Sequence, residues 1–239
     1  MRINRYLAAC GLCSRRNADK IISSGMVKIN GTVVKDFSYC VNKEDTVIVN
    51  GETVSLPEKY VYYAFNKPVG VVTTLKDKYA DIHIGHYIEK LPHRVFPVGR
   101  LDKDTSGLLI LTNDGYLGNK LTHPKYELKK IYHVTASGRL SKQDIIALSN
   151  GVDIGGYITK PSILFDVIYY KDSTSFKMEI SEGKNRQIRR MLDSVKHPVI
   201  SLHRESVGNV SLGELPEGEM RVISKSQIIN IKDDRGKDE

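Results

Sequence analysis

The stretch GRLDKDTSGLLILTNDG, residues 99–115, contains an uninterrupted apolar run from Leu108 to Leu111. A short apolar run between two polar turns predicts a strand that is buried inside a sheet. Strand-like segments recur around it in YVYYAFNK, KKIYHVTASG, SFKMEIS and VISLHRESV, with fewer helical segments between them. We therefore predict an α+β fold in which residues 60–232 form one domain on a mixed, mainly antiparallel sheet.

Three helices are expected among these strands. GYLGNKLTHP should be helical until Pro124, and SKQDIIALSNG should begin at a Ser141 cap and end at Gly151. The third, KNRQIRRMLDSV, is rich in arginine. The closing residues 233–239 are highly charged, so they are predicted to form a tail outside the packed domain.

The first 58 residues are predicted to form a separate small αβ domain. Two short helices are expected in INRYLAACG and RRNADKIISSG, and Ser14 can cap the second. Strand-like segments then alternate around Asn30-Gly31 and Asn50-Gly51, two dipeptides that favour tight hairpin turns. The LPEK segment at 56–59 is the predicted linker.

The overall charge limits the classes of partner. The chain has a formal net charge of +8, which favours a polyanion such as nucleic acid, although an acidic membrane surface would carry the same sign. No run of 18 apolar residues is present, so no membrane partner is expected. The first residues lack the apolar core of a secretory signal, which predicts a cytosolic protein.

The cysteines offer a weak metal signal. Cys10 and Cys13 have the spacing of half a zinc site, but Cys40 is the only other thiol in the sequence. Two ligands at the end of a short helix do not complete a tetrahedral site. We predict no metal site, and an odd number of cysteines does not suggest a disulfide framework.

Positive charge is concentrated near the start of the chain, where seven basic residues precede position 36 against a single acid, Asp19. A helix that starts at Ser14 beside two arginines offers backbone amides and guanidinium groups together to phosphate. The alternative is an ordinary solvated helix face. The candidate RNA contacts of this domain are Arg2, Arg5, Arg15, Arg16 and Lys20.

A second basic stretch is SEGKNRQIRRML, residues 181–192. On a helix, Arg186, Arg189 and Arg190 are three and four residues apart and would face one side. An ordinary amphipathic helix is the simpler interpretation, but no acid lies between Glu182 and Asp193. The stretch therefore predicts an anionic ligand, with Lys184, Arg186 and Arg190 as candidate RNA contacts and Arg100 as another from the segment before the buried strand.

Asp102 precedes the buried strand, between Arg100 and Lys103. It could simply cap a turn or pair with Arg100. Alternatively, it could be a nucleophilic or basic carboxylate at the floor of a cleft, kept ionised by a nearby arginine. Residue types alone leave both interpretations open.

Several of these motifs together resemble the RsuA/RluB/RluF family of bacterial ribosomal RNA pseudouridine synthases. GRLDKDTSGLLILTNDG is similar to the family's catalytic motif. NKPVGVVTT, KKIYHV and EGKNRQIRRM resemble its other signatures in the same order, and CSRRNADKII with VKINGTVV resembles the RNA-binding domain of ribosomal protein S4. The resemblance covers nearly the whole chain and implies the pseudouridine synthase fold.

The resemblance also implies roles for individual residues. Asp102 matches the essential aspartate, Tyr132 matches the tyrosine that packs against the target base, and Arg189 matches the basic residue that pairs with the catalytic carboxylate and lowers its pKa. The reaction breaks the N1–C1′ bond of uridine, turns the uracil and rejoins it through C5. It needs no cofactor, and the sequence has no glycine-rich phosphate loop or dinucleotide fingerprint.

The implied partner is ribosomal RNA or a partly assembled ribosomal subunit, bound by a monomer. CSRRNAD and EGKNRQIRRM look more like the members that act on large-subunit (23S) RNA, whereas ISLHRESVG leans toward the small-subunit (16S) member. Two alternatives remain from the residues themselves: a non-catalytic RNA-binding assembly factor, or an RNA methyltransferase. The second lacks a cofactor fingerprint after a strand.

Overall fold

A computed structural model describes residues 1–228, so the predicted tail at 233–239 and the predicted domain end at 232 lie outside the described residues. The chain forms two compact units. Unit 1 comprises Met1–Val61 with two later segments, Leu91–Val95 and Asn113–Gly115. Unit 2 comprises Tyr62–Lys90, Phe96–Thr112 and the described chain from Tyr116 onward.

Unit 1 packs two helices on a small antiparallel sheet. The helices are α1 (Ile3–Ala9) and α2 (Arg15–Ser23), and the strands are β1 (Val27–Ile29), β2 (Thr32–Val33), β3 (Val47–Val49) and β4 (Glu52–Val54). The strand order is β2-β1-β3-β4. Its core includes Ile3 and Leu7 from α1 with Ala18 and Ile22 from α2, all fully buried.

Local sequence signals set the ends of these elements. The Ser14 hydroxyl accepts a hydrogen bond from the Asn17 amide at 3.2 Å, which confirms the predicted helix cap. Asn30 and Gly31 both have positive φ, as a tight turn between β1 and β2 requires. Asn50 and Gly51 also have positive φ, in the turn between β3 and β4.

Unit 2 is built on a sheet that has nine strands within the described residues. They are β5 (Tyr62–Lys67), β6 (Phe96–Val98), β7 (Ser106–Thr112), β8 (Lys130–Ser137), β9 (Ile163–Tyr169), β10 (Ser173–Ile180), β11 (Val199–Val207), β12 (Val210–Ser211) and β13 (Met220–Val222). The main order is β13-β5-β7-β11-β8-β10-β9, with β12 on β11 and β6 on β7. β7 and β11 pair in parallel and the other described pairs are antiparallel, which confirms the predicted mixed sheet.

The described helices of this part of the chain are α3 (Gly85–Ile88), α4 (Gly115–Thr122), α5 (Lys142–Asn150), α6 (Gln187–Ser194) and α7 (Lys225–Ile228), with a 3₁₀ turn at Pro124–Tyr126. Ser141 caps α5 in a reciprocal capping box with Asp144, as its sequence predicts. None of the described helices is long and apolar enough to cross a membrane.

Strand β7 is the buried strand that the apolar run predicts, and all seven of its residues are buried. It lies between β5 and β11. Gly107 adopts φ +108°, and a Cβ there would lie 2.3 Å from the Arg204 carbonyl oxygen of β11. Only glycine fits this approach, so β7 is held rigidly at the end that follows the Asp102 segment.

Candidate active site

A cleft of about 550 Å³ opens on unit 2 beside the start of β7. Its lining includes Asp102 from the segment before β7, Lys130 and Tyr132 from β8, Arg204 from β11, and the residues that lead into α6. The cleft is therefore built where the central strands of the sheet meet the connecting loops.

The loop that carries Asp102 is fixed by hydrogen bonds to the chain after β5. The Thr73 hydroxyl donates to the Leu101 carbonyl oxygen at 2.7 Å and accepts from the Leu101 amide at 3.2 Å. The Gly70 amide donates to the Lys103 carbonyl oxygen at 2.7 Å. These bonds flank Asp102 on both sides, so the carboxylate is positioned before any substrate arrives.

The Asp102 side chain is about one-third exposed, and the cation nearest to it is Arg186, with Nη1 4.0 Å from Oδ2. The expected pairing of Arg189 with Asp102 is wrong in this structure. Arg189 instead lies against Asp104, with Nε 3.3 Å from Oδ2 and Nη2 donating to the Asp104 carbonyl oxygen at 2.7 Å. Its Nε–H makes no hydrogen bond, so that contact is electrostatic only.

Asp104 binds two arginines. Arg186 donates from Nη1 and Nη2 to its two carboxylate oxygens at 3.1 and 3.0 Å, a bidentate pair. Burial alone would raise the pKa of Asp104, but the Arg186 hydrogen bonds and the charges of Arg189 and Arg186 outweigh it, so the pKa is lowered. Asp104 thus ties the loop before β7 to the chain entering α6.

The predicted arginine face of α6 is also wrong. Arg186 precedes the helix, with φ 50° in the left-handed region, and α6 begins only at Gln187. Arg186 and Arg189 still converge, because both reach Asp104 from different backbone conformations. Arg190 does not line the cleft and lies near Gly155, which separates it from the other two arginines.

Tyr132 lies in the cleft wall with only 8% of its surface exposed. Its hydroxyl accepts a hydrogen bond from Arg204 Nη1 at 3.5 Å, and the Arg204 guanidinium lies 6.0 Å from the ring centroid. Arg204 Nε donates to the Leu108 carbonyl oxygen of β7 at 2.7 Å. Arg204 therefore connects the buried strand to the tyrosine.

The other predicted RNA contacts fall in two places. Arg100 and Lys184 line the cleft and are exposed. The remaining candidates are exposed on unit 1, on or beside its two helices: Arg2, Arg5, Arg15, Arg16 and Lys20. No cluster of three or more His, Cys, Asp or Glu side chains suited to a metal occurs among residues 1–228.

The comparisons with known proteins match both parts of the chain. Residues 61–194, more than half of the sequence, match the family model described as RNA pseudouridylate synthase, and residues 1–47 match the S4 domain. The chain belongs to the RNA pseudouridylate synthase family. The family resemblance inferred from the motifs is therefore confirmed.

Named relatives of this pseudouridine synthase cover nearly all of it. A Bacillus subtilis protein named ribosomal large subunit pseudouridine synthase B is 36% identical over 97% of this chain and 95% of its own length. The Escherichia coli (strain K12) dual-specificity RNA pseudouridine synthase RluF is 37% identical over 97% and 78%. A crystal structure of a pseudouridylate synthase has a TM-score of 0.67 at 33% identity, covering 95% and 98%, and confirms the expected fold.

Sequence reasoning missed four charged residues around the site of the synthase. Asp104 was passed over although it is two residues from Asp102 in the same motif. Lys67 is fully buried and donates to the carbonyl oxygens of Pro68 and Val71, both at 2.8 Å. The other two missed residues are Lys130 and Arg204. The KKIYHV motif contains Lys130, but no sequence signal marks Lys67 or Arg204 as buried.

Proposed function

We propose that this synthase isomerises one uridine of ribosomal RNA, in the large subunit, with Asp102 as the catalytic carboxylate. The observation that carries the proposal is a preorganised carboxylate in the same cleft as a buried aromatic ring, in a chain whose Bacillus subtilis relative is named for the large ribosomal subunit. The enzyme works as a monomer in the cytosol on free or partly assembled ribosomal RNA.

The target base must leave its stack to reach the cleft. Tyr132 offers a ring against which the extruded uracil packs. Asp102 then acts either as a nucleophile or as a base that removes a ribose proton, since both steps require an ionised carboxylate. Arg186 is the cation that faces Asp102, and Arg189 positions the loop through Asp104 and Thr105.

The exposed cations of unit 1 bind the RNA backbone rather than the target base. Phosphate contacts of this kind fix the position of an RNA without reading its sequence. Arg100, Lys184 and Arg186 contact the backbone beside the cleft. Arg190 is the weakest of the RNA contacts we assign, because it does not line the cleft.

The experiment is pseudouridine mapping of both ribosomal RNAs from cells with and without this gene, followed by addition of the purified protein to unmodified RNA. We expect one 23S uridine to depend on the gene and to be modified in vitro. A site only in 16S RNA would overturn the large-subunit assignment. Normal pseudouridine at every position, with a ribosome-assembly defect, would favour the non-catalytic assembly factor.

The dual-specificity name of the Escherichia coli relative favours a second RNA substrate. The same mapping, extended to the other stable RNAs of the cell, tests this possibility. A second gene-dependent pseudouridine outside 23S RNA would establish it, and a single dependent site would exclude it.

A further inference from the structure

Two buried or partly buried cations that line the cleft have no carboxylate in contact with them. Arg204 is only 5% exposed, and Lys130 is partly buried. Within residues 1–228, neither side chain lies within 4.0 Å of a carboxylate oxygen. Arg186 and Arg189, by contrast, both contact Asp104.

The protein partners of these two cations are neutral oxygens. Lys130 Nζ donates to the Leu128 carbonyl oxygen at 2.7 Å and to that of Glu182 at 3.5 Å. An ammonium has three N–H donors, so one of them is without an acceptor among the described residues. Arg204 donates to the Leu108 carbonyl oxygen and the Tyr132 hydroxyl.

Withdrawing a cation from water without a counter-charge is unfavourable. The cost is visible at Lys130, because burial and then the neighbouring Arg204 charge lower its pKa to about 8, although the Glu182 charge acts in the opposite direction. A fold that keeps two such cations side by side in a cleft is suited to stabilise negative charge there.

Both cations are aimed at the region of Tyr132. Lys130 and Tyr132 are two residues apart on β8 and therefore project to the same face of the strand. Arg204 of β11 is directly opposite Tyr132 in the strand register. An extruded base packed on the Tyr132 ring would have a cation from each strand near its edge.

We propose that Lys130 and Arg204 stabilise the negative charge that develops on the uracil ring during isomerisation. This inference rests on the proposed function. When the C1′–N1 bond breaks, its electron pair leaves with uracil and spreads onto O2 and O4. C1′ becomes electron-deficient and is captured by Asp102, or C2′ loses a proton to Asp102.

The charge then disappears as the product forms. C5 bonds to C1′ as the Asp102 carboxylate is displaced from C1′ or, in the alternative, as Asp102 returns the proton to C2′. C5 then loses its proton and N1 gains one, so no atom or electron is lost overall. Fixed donors aimed at charge that exists only during the reaction accelerate it, because they need no reorganisation when the charge appears. Lys130 and Arg204 meet this description, whereas Arg186 is already bound to Asp104.

The test separates the rate of the chemical step from RNA affinity. Lys130→Met keeps the length of the side chain but removes its charge, and its single-turnover rate on an RNA that contains the mapped uridine should fall by about 100-fold or more. The dissociation constant should change by less than about twofold, because the charge is absent in the bound ground state. Lys130→Arg should recover part of the rate. Arg204→Gln, which removes the charge, should behave like Lys130→Met, with its fold checked by its melting temperature, and Arg204→Lys should recover part of the rate.

The matched control is Lys129→Met. Lys129 is the neighbouring lysine, is largely exposed and pairs with Glu179, so this variant should keep the wild-type rate. If Lys130 instead contacts an RNA phosphate, Lys130→Met would weaken binding, reduce the salt dependence by about one ion and leave the rate intact. That outcome would overturn the inference.

An RNA with a modified target uracil tests directly whether the two cations stabilise negative charge on the ring. Fluorine at C5 of the target uracil withdraws electrons and stabilises the ring anion, so cleavage of the C1′–N1 bond depends less on the cations. The rate defect of Lys130→Met, measured as consumption of the target nucleoside, should shrink by about tenfold on this RNA. An undiminished defect would refute the proposal, and an inactive wild-type enzyme on every ribosomal RNA would refute the proposed function instead.

Discussion

The exposed cations of unit 1 and the buried cations of unit 2 differ in how the fold holds them. Arg15, Arg16 and Lys20 are exposed around α2. Arg189 and Arg204 are at least nine-tenths buried and are held by specific oxygen atoms. An exposed cation can follow a phosphate and contributes affinity, whereas a buried one has a fixed place and can contribute to chemistry only at that place. The predictions below test this division.

The largest effect is expected at Asp102, the carboxylate in the cleft. Asp102→Asn keeps the shape of the side chain but removes its charge and its basicity. The single-turnover rate should fall by about 1000-fold or more, since neither a nucleophile nor a base remains. RNA binding, measured by filter retention, should change by less than about twofold.

The matched control is Asp172→Asn, the same change on an exposed turn of the same unit. It should keep full activity. A folded Asp102→Asn protein with near-normal turnover would remove Asp102 from the mechanism.

The next effect concerns the Asp104 clamp. Arg189→Ala and Asp104→Asn should each reduce the rate by about 10- to 100-fold, because the loop that carries Asp102 loses its tie to α6. Arg189→Lys should keep part of the activity, since charge remains but the forked geometry is lost. The double variant should be little worse than either single variant, as expected for residues that act through one contact.

The same variants also test whether Arg189 pairs with Asp102 rather than with Asp104 when RNA is bound. If Arg189 pairs with Asp102 in the complex, Arg189→Ala should be far more damaging than Asp104→Asn. Losses that simply multiply in the double variant would show that Asp104 and Arg189 act independently, contrary to the clamp.

The sequence predicted the local features of the fold well. Ser14, Ser141 and the Asn-Gly turns act through bonds within a few residues, so the pattern alone defines them. These local predictions succeeded because they needed no knowledge of distant contacts. Asp102 and Tyr132, which the family resemblance singled out, both line the cleft, and their catalytic roles stay a prediction.

The failures have a common physical cause, which is tertiary contact. Arg186 leaves the helical pattern where Asp104, 82 residues away, binds its guanidinium. Asp102 and Asp104 are two residues apart, and the sequence does not reveal which of them faces which arginine. The burial of Lys67 and Arg204 is equally hidden, because lysine and arginine are most often exposed.

A smaller effect is expected for the exposed cations of unit 1. Replacing Arg15 and Arg16 together by Ala should raise the dissociation constant several-fold at moderate salt and reduce the salt slope by about one to two ions. The single-turnover rate at saturating protein should be unchanged. Lys142→Ala with Lys171→Ala removes two exposed cations from unit 2 and is the matched control.

Point substitutions test RNA binding by unit 1 more cleanly than removal of residues 1–58 does. The Arg94 guanidinium donates to the Cys13 carbonyl oxygen at 3.0 Å, and Asn113 Nδ2 donates to the Lys59 carbonyl oxygen at 3.2 Å. Both later segments belong to unit 1, and a truncation would remove Cys13, the partner of Arg94. An unchanged affinity and salt slope in the Arg15/Arg16 variant would locate RNA binding elsewhere.

The last effect, on stability rather than activity, is expected at Lys67. Its complete burial lowers its pKa to about 8, although Asp102 and Asp104 act in the opposite direction. Below pH 8 the lysine is charged in both the folded and unfolded chain, and burying that charge destabilises the fold. Between pH 8 and about 10.4 the folded chain loses the proton first, so the destabilisation disappears as pH rises.

The unfolding free energy of the wild type should therefore increase relative to that of Lys67→Met across this range. The gain is limited to about 3 kcal/mol, at roughly 1.4 kcal/mol for each unit of pKa shift. Urea unfolding at pH 7.5 to 10 measures this gain. The difference between wild type and Lys67→Met cancels the contributions of groups that titrate in both proteins, Lys130 among them. Lys90→Met, which removes an exposed lysine, controls for the loss of one charge. Parallel curves of unfolding free energy against pH for wild type and Lys67→Met would mean that Lys67 behaves like the exposed cations of unit 1. The distinction between exposed and buried cations would then not hold for Lys67, which is completely buried.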